Sequence, residues 1–311
     1  MNKILVLLLN ILVLLAVAAS GCSRQGEVGK GPIVVGSKID TEGALLSQMV
    51  ILMLRGNGFE VVDKSQFGPT SVVRKAIISG ELDMYPEYTG NGAFFFDEAD
   101  SPVWKSAKQG YERVKELDKA QNNVVWLTPA PANNTWAIAV PKTLADKENL
   151  ASLDDFAAYV KRGGYVKLIG SEEFVTSPAA LPAFQKDYGF TLKQSQLLVV
   201  SSGDTAQTEK AAAQGTDSVN AAMAYGTDGS LSAFNLVVLS DPRGVQPVYQ
   251  PAPIIRGKVS DKYPEIGTIL GPVFESLGLV TLQTLNGKIA VEGQNAADVA
   301  RDYLVKKGFV K

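Results

Sequence analysis

The residues best placed to do chemistry in this chain fall in the stretch YPEYTGN, Tyr85 to Asn91, which puts two tyrosines, a carboxylate and an amide within seven positions. A tyrosine here has three readings: a core residue with a satisfied hydroxyl, an interface residue, or one wall of a box that holds a cation against its π face. Glu87, between Pro86 and Tyr88, either orients nearby backbone donors or sits as a solvated loop carboxylate. The chain contains no histidine. Ser-His-Asp and Cys-His catalysis and histidine-bound zinc are therefore excluded, and proton transfer would fall to Lys, Tyr or carboxylates. Ser37 and Lys38 stand side by side, but neighbours on a strand point to opposite faces and make a poor nucleophile–base pair. Asp228, in the turn sequence GTDG, reads as a cap for backbone N–H groups. Asp97, Asp217 and Asp241 have no metal-ligand spacing around them, and no calcium-loop pattern occurs, so no metal or other cofactor is expected.

With 311 residues, 46% of them apolar, the chain is long enough for two domains with separate cores. Thirty basic residues against 32 acidic ones, with no Lys/Arg run, argue against a nucleic-acid partner. The first 22 residues read as an export signal: Lys3, an apolar run from Ile4 to Ala19, then small residues. Ala19-Ser20-Gly21-Cys22 resembles a lipobox, in which Cys22, the chain's one cysteine, would be acylated and become the mature N-terminus. Residues 23–31 then read as a flexible tether.

The elements that must position these residues alternate in type. IVVGSK is a strand, and EGALLSQMVILMLRGNG follows with Leu45, Leu46, Met49, Val50 and Met53 on one helical face. FEVVDKSQF reads as a strand and TSVVRKAIISG as a helix, so the chain opens β-α-β-α, an order that predicts a parallel sheet with ligand chemistry at the carboxyl ends of its strands. Downstream, VVWLTPA, TWAIAVP, YVKLIGS, QLLVVSS and VNAAMAYGTDG read as strands, and Ser152 to Asp155 has capping-box spacing before a helix. Two long helices, Tyr263 to Gly278 and Thr281 to Gly308, are expected at the C-terminus, and Phe94 to Phe96 are expected to bury against the first lobe. Crossings near PAPANNTWAIAVP and NLVVLSDPRGVQP divide the chain into lobe I (32–133 and 240–311) and lobe II (134–239) with a cleft between them, a preferred place for a small ligand.

Five stretches in order, GSKIDTEGALL, SGELDMYPEYTGNGAFFF, WLTPAPANNTWAIAV, NAAMAYGTDG and DPRGVQPVYQPAP, resemble the OpuAC/ProX-like binding-protein family of ABC transporters for glycine betaine, carnitine and choline, from about Ile33 to Lys311. The resemblance implies an α/β, two-lobed periplasmic binding protein fold of type II, with the hinge crossed twice. It implies a binding protein and no enzyme: a monomer, lipid-anchored to a membrane outside the cytoplasm, that passes a quaternary ammonium compound to an ABC permease and its ATPase. Carried over by motif, Tyr88, Trp136, Tyr225 and Tyr249 form an aromatic cage for the onium group, Lys38 and Asn91 hold the ligand's anionic end, and Asn134 borders the cage. Ser177-Pro178 stands where relatives often place a carboxylate-clamping arginine, which implies a weak grip on that end. The alternatives are a cationic amino-acid-like ligand, which would need a carboxylate such as Glu87 or Asp228 beside the rings, and an exported enzyme on the same scaffold.

Overall fold

A computed structural model describes residues 29–201 and 205–311. The signal stretch and Cys22 lie outside the described residues. Among the described residues, ten strands make two five-stranded sheets, one in each of two lobes. The first has the order β2-β1-β3-β10-β4 and comprises β1 (Lys30–Lys38), β2 (Phe59–Gly68), β3 (Met84–Tyr88), β4 (Val124–Trp126) and β10 (Pro251–Arg256). The second has the order β7-β6-β8-β5-β9 and comprises β5 (Trp136–Pro141), β6 (Leu168–Ser171), β7 (Leu197–Val200), β8 (Ala221–Tyr225) and β9 (Leu236–Val238).

Each sheet is parallel across its first three strands, as the β-α-β order requires, and antiparallel beyond them. The reason is the double crossing. β5 enters the second sheet directly from the first lobe, and β10 enters the first sheet on the way back, so each runs against its neighbours. The two crossing segments are bonded to each other: Asn134 N–H donates to the Tyr249 carbonyl at 2.9 Å, and Tyr249 N–H to Asn133 Oδ1 at 2.8 Å.

The helix Thr41–Gly56 turns Leu45, Leu46, Met49, Val50 and Met53 into the first core, as their spacing predicts. Ser152 and Asp155 form the expected capping box at the start of the helix Leu153–Lys161. Other expectations are corrected. Lys30 and Gly31, counted in the expected tether, belong to β1, and Gly31 N–H donates to the Tyr263 hydroxyl. The long final helix is two, Leu279–Ala290 and Ala296–Lys306, because Gly293 takes positive φ and the Asn295 side chain caps the second of them. Phe94 is 43% exposed, and with Phe95 it lines the cleft instead of burying in the lobe.

Candidate ligand-binding cleft

A cleft of about 780 Å³ lies between the lobes, and Lys38, Tyr88, Asn91, Asn134, Trp136, Tyr225 and Tyr249 all line it. Two rings come from each side of the crossing. Tyr88 ends β3, and Tyr249 precedes β10, the strand beside it. Gly90 leaves room for the Tyr249 ring: a Cβ at position 90 would lie 2.8 Å from Tyr249 Cδ1. Across the cleft, Trp136 and Tyr225 are cross-strand partners on β5 and β8, with near-parallel rings (20°) and centroids 6.5 Å apart. Phe174 braces the far edge of Trp136 in an edge-on contact at 6.3 Å. Burial raises the hydroxyl pKa of Tyr88, Tyr225 and Tyr249, so all three stay neutral phenols.

The groups expected to face an anionic ligand are already engaged. Lys38 Nζ pairs with Glu87 Oε1 at 2.5 Å and lies 4.6 Å from the centre of the Tyr88 ring. Asn91 Nδ2 donates to the same carboxylate oxygen at 2.7 Å. Glu87 is fully buried and also accepts from the Tyr85 hydroxyl and the Tyr88 N–H, which rules out a solvated loop carboxylate. Asn134 Nδ2 donates to Glu42 Oε1 at 3.1 Å. At the N-terminus of the helix after β1, Asp40 is the cap and accepts from Gly43 N–H. Asp228 does cap its turn: its Oδ2 accepts from Tyr225 N–H at 2.6 Å, and burial pushes the carboxyl up to about 6.

Glu42, Thr227 and Asn286 are among the cleft residues that went unread in the sequence. For Asn286 the available signal was the pair Asn286-Gly287 inside a helical run, a pair that helix propensity disfavours and that therefore has another reason to be there.

The engaged lysine leads to a prediction. Glu87→Gln keeps the shape of the side chain and one carbonyl acceptor but removes the charge that neutralises Lys38. A charge-assisted hydrogen bond contributes about 1.5–3 kcal/mol, so affinity for a ligand that carries a carboxylate, relative to an analogue without one, is expected to rise by roughly tenfold or more. Calorimetry with both ligands measures the ratio, and an unchanged ratio would show that Lys38 does not reach the ligand.

Two α/β lobes joined by two crossing segments, with a cleft lined by aromatic rings from both, define a substrate-binding protein of the transport type. The chain belongs to the family described as the substrate-binding domain of ABC-type glycine betaine transport systems (OpuAC), which it matches over residues 31–306. It is 58% identical to the glycine betaine-binding protein YehZ of Escherichia coli K12 over 280 residues, covering 90% of this chain and 92% of that protein. It is 31% identical to a glycine-betaine-binding protein of Pseudomonas aeruginosa over 296 residues, covering 93% and 92% of the two chains. The solved structure of apo YehZ superposes with a TM-score of 0.77 at 57% identity, over 90% of this chain and all of that one.

Proposed function

We propose that the chain captures a quaternary ammonium compound between its lobes, in a cage made by Tyr88, Trp136, Tyr225 and Tyr249, and delivers it to an ABC permease driven by its ATPase. Lobe I comprises 32–133 and 240–311, and lobe II 134–239. Export and acylation at Cys22 would hold it at a membrane surface, outside the cytoplasm and as a monomer; binding is its whole task and no covalent step is involved. The observation that carries the reading is the gathering of four rings, from four separate segments and both lobes, along one cleft.

A trimethylammonium group has no N–H to donate, so carboxylates recognise it poorly by hydrogen bonding, whereas each ring face contributes about 0.5–2 kcal/mol once water is excluded. Micromolar binding requires about −8 kcal/mol, so the cage supplies a large share. A primary ammonium ligand is less well served, because Glu87 and Asp228 already accept hydrogen bonds from within the protein. With Lys38, Asn91 and Asn134 engaged and serine at position 177, the ligand's anionic end is weakly held.

Calorimetric titration with choline, glycine betaine, carnitine and the uncharged isostere 3,3-dimethylbutan-1-ol tests the proposal. The onium compounds should bind, and the isostere should bind much more weakly. Equal affinity for choline and its isostere would overturn cation recognition, and nanomolar affinity for glycine betaine would overturn the weak grip on the carboxylate.

A further inference from the structure

Glu42 occupies the first turn of the helix Thr41–Gly56 and lines the cleft at only 5% exposure. Its Oε1 accepts from the Tyr88 hydroxyl at 2.8 Å and from Asn134 Nδ2 at 3.1 Å, and its Oε2 accepts from Asn286 Nδ2 at 2.7 Å. One carboxylate thus touches a cage ring on β3, the crossing segment before β5, and the helix Leu279–Ala290. Asn286 Nδ2 also donates to the Thr227 carbonyl at 3.0 Å, and Gln283 Nε2 donates to the Gly226 carbonyl at 2.9 Å, so the same helix grips the turn that follows Tyr225 in the second lobe. That grip is close: a Cβ on Gly229 would lie 1.9 Å from the Gly287 nitrogen.

We infer that Glu42 is a positioning residue of the cage, whose ionised carboxylate fixes Tyr88 and the contact between the lobes, so that affinity for an onium ion follows its ionisation. The inference rests on the quaternary ammonium reading above. Two effects act in the same direction. An ionised carboxylate accepts from Tyr88, Asn134, Asn286 and Thr227 alike, whereas a protonated one must turn a hydroxyl toward them. A hydroxyl donating to an anion also places negative charge at the end of the Tyr88 ring, which strengthens the attraction of its face for a cation.

Burial holds the Glu42 carboxyl up at about 7, against hydrogen bonds from Thr227, Tyr88 and Asn286 that pull it down. The charged groups around it are few. Asp40 stands on its own helix and raises it further. From β1, Lys38 lies over the Tyr88 ring and is paired with Glu87 of β3. From the second lobe, Asp228 lines the cleft with a carboxyl at about 6, and Glu173 lines it too. Asn286 and Gln283 on the third element carry no charge, and the chain has no histidine to titrate in this range.

Choline is the probe, because its charge does not change between pH 5.5 and 8.5 and any pH dependence belongs to the protein. A bound cation favours the ionised carboxylate, so affinity is expected to rise with pH through about 7. The rise is about tenfold for each unit by which the ligand lowers the carboxyl pKa. Glu42→Gln should bind choline at least several-fold more weakly at pH 8.5 and lose the step near 7, and Asp228→Asn should keep that step. Tyr88→Phe retains the ring without the hydroxyl and should show a smaller rise, which provides a readout if the Gln variant does not fold. A wild-type profile in either Glu42→Gln or Tyr88→Phe, or choline binding that is flat with pH in the wild type, would overturn the inference alone. Failure of the wild type to bind choline, glycine betaine or carnitine at any pH would overturn the quaternary ammonium reading and this inference with it.

Discussion

Asp118→Ala is expected to lower the stability of the fold by about 3–5 kcal/mol, the range for removing one partner of a buried ion pair. Asp118 is fully buried, and Arg74 is 7% exposed. The guanidinium meets the carboxylate with two parallel bonds, at 2.8 and 2.6 Å, and the Trp126 indole N–H and the Asn122 amide complete the shell at 2.7 and 2.9 Å. Truncation leaves the guanidinium buried with no counter-charge, and the indole N–H buried with no acceptor. The other face of Arg74 lies on the Phe95 ring, 4.4 Å from its centre, and Phe95 lines the cleft. Trp126 ends β4, where the chain leaves for the second lobe. Urea unfolding measures the loss, and a change below about 1 kcal/mol, the range of an exposed pair, would show that the pair is solvated in solution. An Arg74→Met, Asp118→Leu double variant should recover much of the loss, because apolar replacement of a whole buried pair is often close to neutral.

The parallel half of each sheet was legible because its strands are runs of apolar, β-branched residues and its helices carry apolar faces at regular spacing. β10 was not legible. Pro251 and Pro253 interrupt PAPIIR and argue against a strand with neighbours on both sides. The structure tolerates them because their missing N–H groups face the irregular segment beyond β4, where only their carbonyls are used, accepting from Ala130 and Leu127. The seven cleft residues were found through their motifs, and they do gather in one place. What the motifs could not convey was which donors remain free. Lys38, Asn91 and Asn134 point into the cleft region but give hydrogen bonds to Glu87 and Glu42; the pairings of Lys38 and Asn134, with residues 49 and 92 positions away, leave no trace in local sequence. Phe94 failed as a core residue for a related reason. Three consecutive phenylalanines around a short helical turn cannot all face one core: Phe96 packs against it, and Phe94 and Phe95 line the cleft.

Replacing both Trp136 and Tyr225 by alanine is expected to weaken choline binding by about 1–4 kcal/mol, or roughly fivefold to several-hundred-fold, if each ring contributes one wall. The two rings meet across β5 and β8, so their single losses should not simply add: removing one leaves the other free to tilt into the space. Both residues are half-buried at the cleft surface, and the strand pair beneath them is held by buried Ala137, Ile138, Met223 and Ala224, so the fold should survive the double change. Loss of affinity alone does not identify the force, because two rings also bury apolar area. The distinction lies in the comparison with 3,3-dimethylbutan-1-ol, which has the same shape as choline and no charge. A cation–π contribution requires choline to lose more than the isostere, whereas plain burial requires equal losses. Trp136→Phe sharpens the comparison: it keeps a π face and should fall between the wild type and Trp136→Ala for choline. Equal losses for the two ligands across this series would leave a cleft lined with rings that does not read charge.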